Sequence, residues 1–186
     1  MKILTATIAF AAFVAAADYT VHVTNDVGII YTPMLCGNTN CPETNLSGKL
    51  QYMAYSGNRD MRNILMGFDL PKGASDPKEI GSCTLELPKP ITSSNAPPSW
   101  YTLTVSPITS AYDAKTVTAA TAPRRGSVIA TETSTDDVAP KAIDVTEACK
   151  HPINGQVALS LSSIGSPVTF PSSSGGSTAK LIVKTK

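Results

Sequence analysis

The sequence predicts one all-β domain, an antiparallel β-sandwich, from three observations. Apolar and polar residues alternate over short stretches, so that only one side of each stretch is apolar. Loops rich in Pro, Gly and Ser separate these stretches. Beyond the N-terminal residues, no stretch shows the sustained 3.6-residue period of an amphipathic helix. Short strands punctuated in this way are typical of a sandwich, and no internal repeat or linker divides the chain.

The N-terminal stretch predicts secretion. Lys2 supplies a positive charge, and the residues from there to Ala17 are apolar apart from two threonines and end in three alanines. This run is shorter than the roughly 20 apolar residues that span a bilayer, and it lacks the polar stripe of a core helix. We therefore expect residues 1–17 to be a cleaved signal peptide and residues 18–186 to be an extracellular domain. No second apolar run follows, so we expect no membrane attachment.

Each predicted strand is defined by its apolar residues, which recur with period two as half-buried antiparallel strands require. In chain order these residues are Tyr19, Val21 and Val23; Ile64, Met66 and Phe68; Cys83, Leu85 and Leu87; Tyr101, Leu103 and Val105; Ile143 and Val145; Val157, Leu159 and Leu161; and Leu181 and Val183. Residues 146–150 have room for one helical turn. The predicted loops are 71–73, 95–98, 123–126 and 172–177.

The charge balance argues against a nucleic acid or an anionic membrane as partner. The formal net charge is +1, and removal of Lys2 with the signal peptide brings it to 0. Such a chain lacks the basic surface that binds phosphates or anionic headgroups. Arg124 and Arg125 are the only adjacent basic pair, and we interpret them as part of a solvated loop.

Four cysteines remain after the predicted cleavage, an even number that suits disulfides in an oxidising compartment. Of the three possible pairings we favour Cys36–Cys41, which closes a short turn, with Cys83–Cys149, which joins distant segments. The chain-entropy model gives about 2 kcal/mol for the short loop and about 4 kcal/mol for the long one. Cys83 is in phase with its apolar face, as is Cys149 if extended pairing persists that far. Metal binding is the alternative, but no Cys-x-x-Cys pair is present.

Three segments resemble consecutive strands of one extracellular family. Residues 62–71, RNILMGFDLP, resemble R-x-x-L-L-x-F-D-L; residues 80–87, IGSCTLEL, resemble V-x-S-A-x-L-x-L; and residues 142–146, AIDVT, resemble I-D-V-T. The family is the DNRLRE-type, or family 96-like, carbohydrate-binding module. The resemblance implies a jelly-roll sandwich of the kind attached to secreted polysaccharide-degrading enzymes. It also implies a polysaccharide or cell-surface glycan as partner.

The chain departs from this family pattern at two pairs of positions. Cys83 replaces the usual Ala of the second segment, and Cys149 replaces an apolar residue after the third, a paired change that supports the predicted bridge. Two family tryptophans correspond to Tyr112 and Ala119. Whether those positions contact a ligand or belong to the core stays open at this point.

Residues for catalysis are scarce in the sequence. A hydrolase triad needs a histidine base, yet His22 falls on the polar face of a strand and His151 in a loop. The chain has no Gly-x-Ser-x-Gly elbow. We expect no enzyme activity, no catalytic residues and no cofactor.

The carboxylates leave a glycosidase pair and a metal ion undecided. The candidates are Asp60, Asp69, Glu86, Asp113, Glu132, Asp136, Asp137 and Asp144. We interpret Asp69 and Asp144 as hydrogen-bond acceptors at strand ends. Asp136 and Asp137 are interpreted as a turn, with a contribution to a calcium site as the alternative.

Sugar recognition combines flat aromatic rings with nearby hydrogen-bonding side chains. Trp100 is in phase with Thr102 and Thr104, which places it outward, although a position capping the core edge is an equal alternative. Tyr52 and Tyr55 fall on opposite faces of one strand, so one of them should be exposed. The polar loop after this strand is a second candidate region, or a plain hairpin connection. The predicted ligand-binding residues are Trp100, Tyr52, Tyr55, Asn58, Arg59 and Asp60.

Asn45-Leu46-Ser47 is an N-glycosylation sequon and predicts a glycoprotein if the host glycosylates. Together these features predict a secreted, non-catalytic protein that resembles a carbohydrate-binding module. The alternative is an extracellular structural or interaction protein, such as a cell-wall, fibre-forming or host-directed one. Such a protein would use the sandwich as a scaffold, and it could self-assemble.

Overall fold

A computed structural model describes residues 16–31, 45–49, 51–57, 61–92, 97–176 and 178–186. Within these ranges the chain forms eleven strands, one α-helical turn and two 3-10 turns at Lys72–Ala74 and Ser173–Gly175, and every strand pairing is antiparallel. The elements are β1 (Asp18–His22), β2 (Asn25–Ile30), β3 (Gln51–Ser56), β4 (Met61–Asp69), β5 (Ile80–Glu86), β6 (Trp100–Pro107), β7 (Ala130–Thr135), β8 (Ile143–Asp144), α1 (Thr146–Cys149), β9 (Gln156–Gly165), β10 (Val168–Pro171) and β11 (Lys180–Thr185).

The strands form two sheets that pack against each other, which confirms the predicted all-β sandwich. The smaller sheet has the order β1-β11-β5-β8, and the larger has the order β10-β3-β4-β9-β6-β7 with β2 also paired to β4. A turn at Asn154 and Gly155, with φ of 52° and 80°, returns the chain into β9 at the middle of the larger sheet. Positive φ at both central residues is the geometry that two-residue hairpins prefer.

The main core lies between the sheets and confirms the predicted strand faces. All the apolar residues that define the predicted strands are buried in it except Tyr19, which packs partly buried against it. Among the largest fully buried side chains are Phe68, Tyr101, Leu103 and Leu159, contributed by β4, β6 and β9. These central strands therefore fix which residues of the larger sheet point outward.

A second apolar cluster lies on the outer side of the larger sheet. Val27 and Ile29 of β2 and Leu65 of β4 are covered by residues 108–125, which we call the covering segment. It contributes Ile108, Ala114 and Val117 as buried residues, with Tyr112 and Ala119 partly buried beside them. In this chain the two positions that correspond to family tryptophans thus pack against a core.

The disulfide Cys83–Cys149 joins β5 to the end of α1, as predicted, with a Cα–Cα distance of 6.3 Å. Both cysteines are fully buried. Extended pairing does not persist to Cys149, since α1 begins at Thr146 and turns the chain, so the sulfur reaches the core from a helical turn. The predicted Cys36–Cys41 bridge and nearly all of the predicted signal peptide lie outside the described residues.

Candidate functional site

One outer surface of the larger sheet, formed by β6, β7 and β9, is open to solvent. Trp100 pairs with Thr135, and Thr102 pairs with both Thr133 and Ile164. Paired residues of antiparallel strands share a face, as do residues two apart in one strand. The residues of this surface, which we call the hydroxyl face, are Trp100, Thr102, Thr104, Thr131, Thr133, Thr135, Ser162 and Ile164.

Trp100 is 68% exposed, which favours the outward orientation over a core-capping one. Its direction is set by the next residues of β6, because Tyr101 and Leu103 are buried between the sheets. A one-residue slip would expose those side chains, so the register is strongly specified. Two hydrogen bonds also fix the start of β6. The Ser166 amide donates to the Trp100 carbonyl at 3.3 Å, and the Ser99 amide donates to Asp136 Oδ1 at 2.9 Å.

The hydroxyl face is neutral and partly ordered by its own hydrogen bonds. None of its eight residues carries a charge. The hydroxyls of Thr102 and Thr133 are hydrogen-bonded at 3.0 Å, and Thr104 Oγ1 donates to the Ser162 carbonyl at 3.2 Å. The face therefore presents uncharged donors and acceptors in fixed positions beside an aromatic ring.

Exposed apolar side chains gather at one end of this face. Ile164 is 55% exposed and lies diagonally opposite Trp100, while Met61, at the start of β4, is 38% exposed. Val138, just beyond β7, is 47% exposed. Because the start of β4, the end of β9 and the start of β6 meet at the same end of the sheet, Met61, Ile164 and Trp100 lie together there. Val138 follows β7, which ends beside Trp100.

The structure does not bring the other predicted aromatic residues to this face. Tyr52 is 3% exposed, because β3 turns this residue and Ala54 toward the core. Its hydroxyl donates to the Asp26 carbonyl at 3.4 Å, and burial is the main cause that raises the pKa of Tyr52. Tyr55 is half-buried opposite Arg62 in the β3–β4 pairing. The predicted ligand residues Asn58, Arg59 and Asp60 lie outside the described residues.

A second surface is an open cleft of about 660 Å³ between β7 and the region of β8 and α1. Its lining includes Glu132, Asp144 and Glu147. Asp144 Oδ1 accepts hydrogen bonds from the Thr146 hydroxyl at 2.6 Å and the Thr146 amide at 2.9 Å, and these bonds lower the pKa of Asp144. A glycosidase acid needs the opposite shift. Asp144 acts here as the predicted acceptor at a strand end.

Glu147 is also engaged by its own helical turn. Its carboxylate lies 3.6 Å from the Lys150 ammonium and 3.1 Å from His151 Nε2. The other predicted strand-end carboxylate, Asp69, accepts from Thr24 and Gln156, each at 2.8 Å. Asp69 is therefore held by side-chain donors from neighbouring segments.

The described part of the chain contains no group of three or more His, Cys, Asp or Glu side chains placed to hold a metal ion. Asp136 and Asp137 lie in a turn after β7, where Asp136 accepts from Ser99 and Asp137 from Thr135. Among the described helices, none has the length and apolar character needed to cross a membrane.

Arg125 has a structural role that the sequence reasoning missed. Its guanidinium lies 5.8 Å from the centre of the Tyr31 ring. The amide orientation that satisfies the buried Asn63 lets its oxygen accept from Arg125 Nη1 at 2.7 Å and its nitrogen donate to the Arg62 carbonyl and Ser162. Burial raises the pKa of Tyr31, an effect that Arg125 partly offsets. These contacts join residues far apart in the chain, so no local sequence pattern predicts them.

No family model matches the chain. An uncharacterized secreted protein of Arthroderma benhamiae is 32% identical over 117 residues, which cover 62% of this chain and 57% of that protein. The match thus spans little more than half of the relative. Its name says that it is secreted and states no activity.

Proposed function

We propose that this chain is a secreted, non-catalytic protein that binds a neutral polysaccharide or cell-surface glycan through the hydroxyl face. The observation that carries the proposal is Trp100, which is 68% exposed on a strand whose register is fixed by buried neighbours. The similarity to a secreted protein and the apolar N-terminal stretch support an extracellular location.

The chemistry of the hydroxyl face suits a sugar. The C–H side of a pyranose ring packs on an aromatic face, and its hydroxyls need uncharged donors and acceptors nearby. Thr102, Thr133 and Thr135 provide such groups beside Trp100. Neighbouring strands lie about 4.8 Å apart and alternate residues about 6.7 Å apart, so the face offers a grid of contacts to an extended glycan. The eight residues of the face are uncharged, and the carboxylate bonded to Thr135, that of Asp137, is an anion, so the face favours a neutral sugar over an anionic one.

The sequence resemblance to carbohydrate-binding modules supports the same class of ligand. The proposed site differs from the positions of the family tryptophans, because Tyr112 and Ala119 pack on the second cluster. The proposal of a non-catalytic role is supported by the surroundings of two carboxylates in the cleft. Asp144 accepts a hydrogen bond from Thr146, and the Glu147 carboxylate lies beside Lys150 and His151.

Retention on insoluble glycans tests the proposal. We expect the protein to be retained on at least one of cellulose, chitin and β-1,3-glucan, and Trp100→Ala to lose that retention at an unchanged melting temperature. Ile91→Ala is the matched control, because Ile91 is also an exposed apolar residue (43%) but lies outside the hydroxyl face. Absence of retention on every glycan, or equal retention of the two variants, would refute the proposal.

A second candidate function is an extracellular interaction or self-assembling protein. It is favoured by the exposed apolar residues Met61, Trp100 and Ile164 at one end of the hydroxyl face, since clustered exposed apolar residues mark interaction surfaces. Sedimentation distinguishes it: a mass that grows with protein concentration and falls to that of a monomer in Trp100→Ala supports self-assembly. A monomer at all concentrations removes this form of the candidate.

A further inference from the structure

The sequon at Asn45 lies against the covering segment. Asn45 Nδ2 donates hydrogen bonds to the Ala114 carbonyl at 2.9 Å and to the Val117 carbonyl at 2.6 Å. Its Oδ1 accepts from the Ser47 amide at 2.9 Å. Both hydrogens of the side-chain nitrogen are therefore directed at backbone oxygens of the segment, and the side chain is half-buried.

N-glycosylation replaces one of those two hydrogens with a sugar carbon. A C–N single bond is about 1.45 Å long. In either direction the sugar carbon would point at a carbonyl oxygen only 2.9 or 2.6 Å from Nδ2, with the rest of the sugar behind it. The glycan and the bonded carbonyl cannot occupy this space together, and one donor is lost in addition.

Asn45 shares the attachment of the covering segment with Asn25 and with Asn63, whose contact with Arg125 is described above. Asn25 Nδ2 donates to the Tyr112 carbonyl at 3.2 Å, and its Oδ1 accepts from the Ala114 amide at 3.0 Å. The Tyr112 hydroxyl donates to the Asn25 carbonyl at 2.6 Å. Loss of the Asn45 attachment would leave carbonyls of the segment without their donor and loosen its cover over β2 and β4.

The order of synthesis makes this conflict relevant. Ala114 and Val117 follow Asn45 by 69 and 72 residues, so the sequon emerges before its partners exist. Asn45-Leu46-Ser47 is also the only Asn-x-Ser/Thr sequon in the chain. We infer that glycosylation at Asn45 and docking of the covering segment are mutually exclusive, so that the folded protein described above is the unglycosylated form. This inference is independent of glycan binding by the hydroxyl face and departs from the glycoprotein prediction.

Two variants separate the amide from the sequon. Ser47→Ala abolishes the sequon and keeps all three Asn45 hydrogen bonds, because Ser47 contributes its backbone amide to them. Asn45→Asp also abolishes the sequon but replaces both donors with an oxygen. We expect the backbone amide hydrogens of residues 108–125 to exchange at least about tenfold faster in Asn45→Asp than in Ser47→Ala. We also expect Asn45→Asp to melt at a lower temperature. Equal exchange and melting of the two variants would overturn the inference.

A glycosylating host provides the direct test. Ser47→Thr keeps an Asn-x-Thr sequon, so this variant can still be glycosylated at Asn45. Intact mass before and after N-glycosidase treatment measures the fraction glycosylated at Asn45 in the intracellular and in the secreted protein. We expect the secreted pool to be depleted of the glycoform relative to the intracellular pool, or its glycoform to show fast exchange across residues 108–125. A fully occupied secreted protein with the exchange protection of Ser47→Ala would refute the inference.

Discussion

Arg124 and Arg125 are neighbours in the chain but have different surroundings. Arg125 contacts the Tyr31 ring and supplies the hydrogen bond to the oxygen of the buried Asn63. Both arginines are exposed, but the group of Arg124 that accepts from Thr109 is its backbone carbonyl. The side-chain role of a residue in a loop is thus decided by what the loop covers.

These surroundings predict unequal effects of two alanine substitutions. Arg125→Ala should lower the free energy of unfolding by about 1–3 kcal/mol, because a buried amide oxygen loses a charged donor. Arg124→Ala should stay within about 0.5 kcal/mol of the parent. Urea unfolding of both variants measures the difference. Equal values would show that the contact with Asn63 does not stabilise the fold.

Asp144 predicts a dependence of stability on pH. Hydrogen bonds from Thr146 lower its pKa in the folded state, so folding favours the ionised carboxylate. Its contribution is present above the unfolded value of about 3.9 and is lost as the pH falls through the lower folded value. The difference in unfolding free energy between the parent and Asp144→Asn should therefore be largest near neutral pH and shrink in acid.

Urea unfolding at neutral pH and at a pH of about 2–3 measures this dependence. Thr146→Ala is the partner variant, because it removes the hydroxyl donor and should remove much of the same pH-dependent part. A difference between the parent and Asp144→Asn that stays constant across this range would contradict the assigned cause.

β4 and the covering segment show what a sequence pattern predicts about an element and what it leaves out. Alternation predicts the inner face of β4, with Ile64, Met66 and Phe68 in the main core. Leu65 on its outer face is buried too, because the covering segment packs there. The covering segment shows neither the period of two of a strand nor the 3.6-residue period of a helix, so its apolar residues predict no strand or helix. Tertiary contacts alone reveal it.

The disulfide gives an element-scale prediction, since it links β5 to α1 across a sequence separation of 66 residues. Replacing both Cys83 and Cys149 by alanine should lower the free energy of unfolding by about 4 kcal/mol in the chain-entropy model. Thermal melting of the double variant measures the loss. Replacing the predicted Cys36–Cys41 pair provides the control, for which the same model gives about 2 kcal/mol. A double variant at Cys83 and Cys149 that melts like the parent would contradict a stabilising role.

The sandwich as a whole could be predicted from the sequence, because strand period and loop composition depend only on residues that are neighbours in the chain. Alternation also placed Trp100 outward, but a position capping the core edge was an equal alternative until the 68% exposure of the side chain favoured the outward one. It did not predict the rest of the hydroxyl face, because the threonines of β6 and β7 become one surface only through strand pairing. Tyr52 illustrates the same limit, since alternation left open which side of β3 faces the core.

The central claim is that a glycan binds at the hydroxyl face, and Trp100 reports on it directly because it is the only tryptophan in the chain. The most direct measurement is a fluorescence titration with soluble oligosaccharides of the glycan that retains the protein. Since the ring is 68% exposed, binding on it should shift the emission to shorter wavelength and protect it from iodide quenching. Binding seen by calorimetry with no change in emission or quenching would contradict the claim.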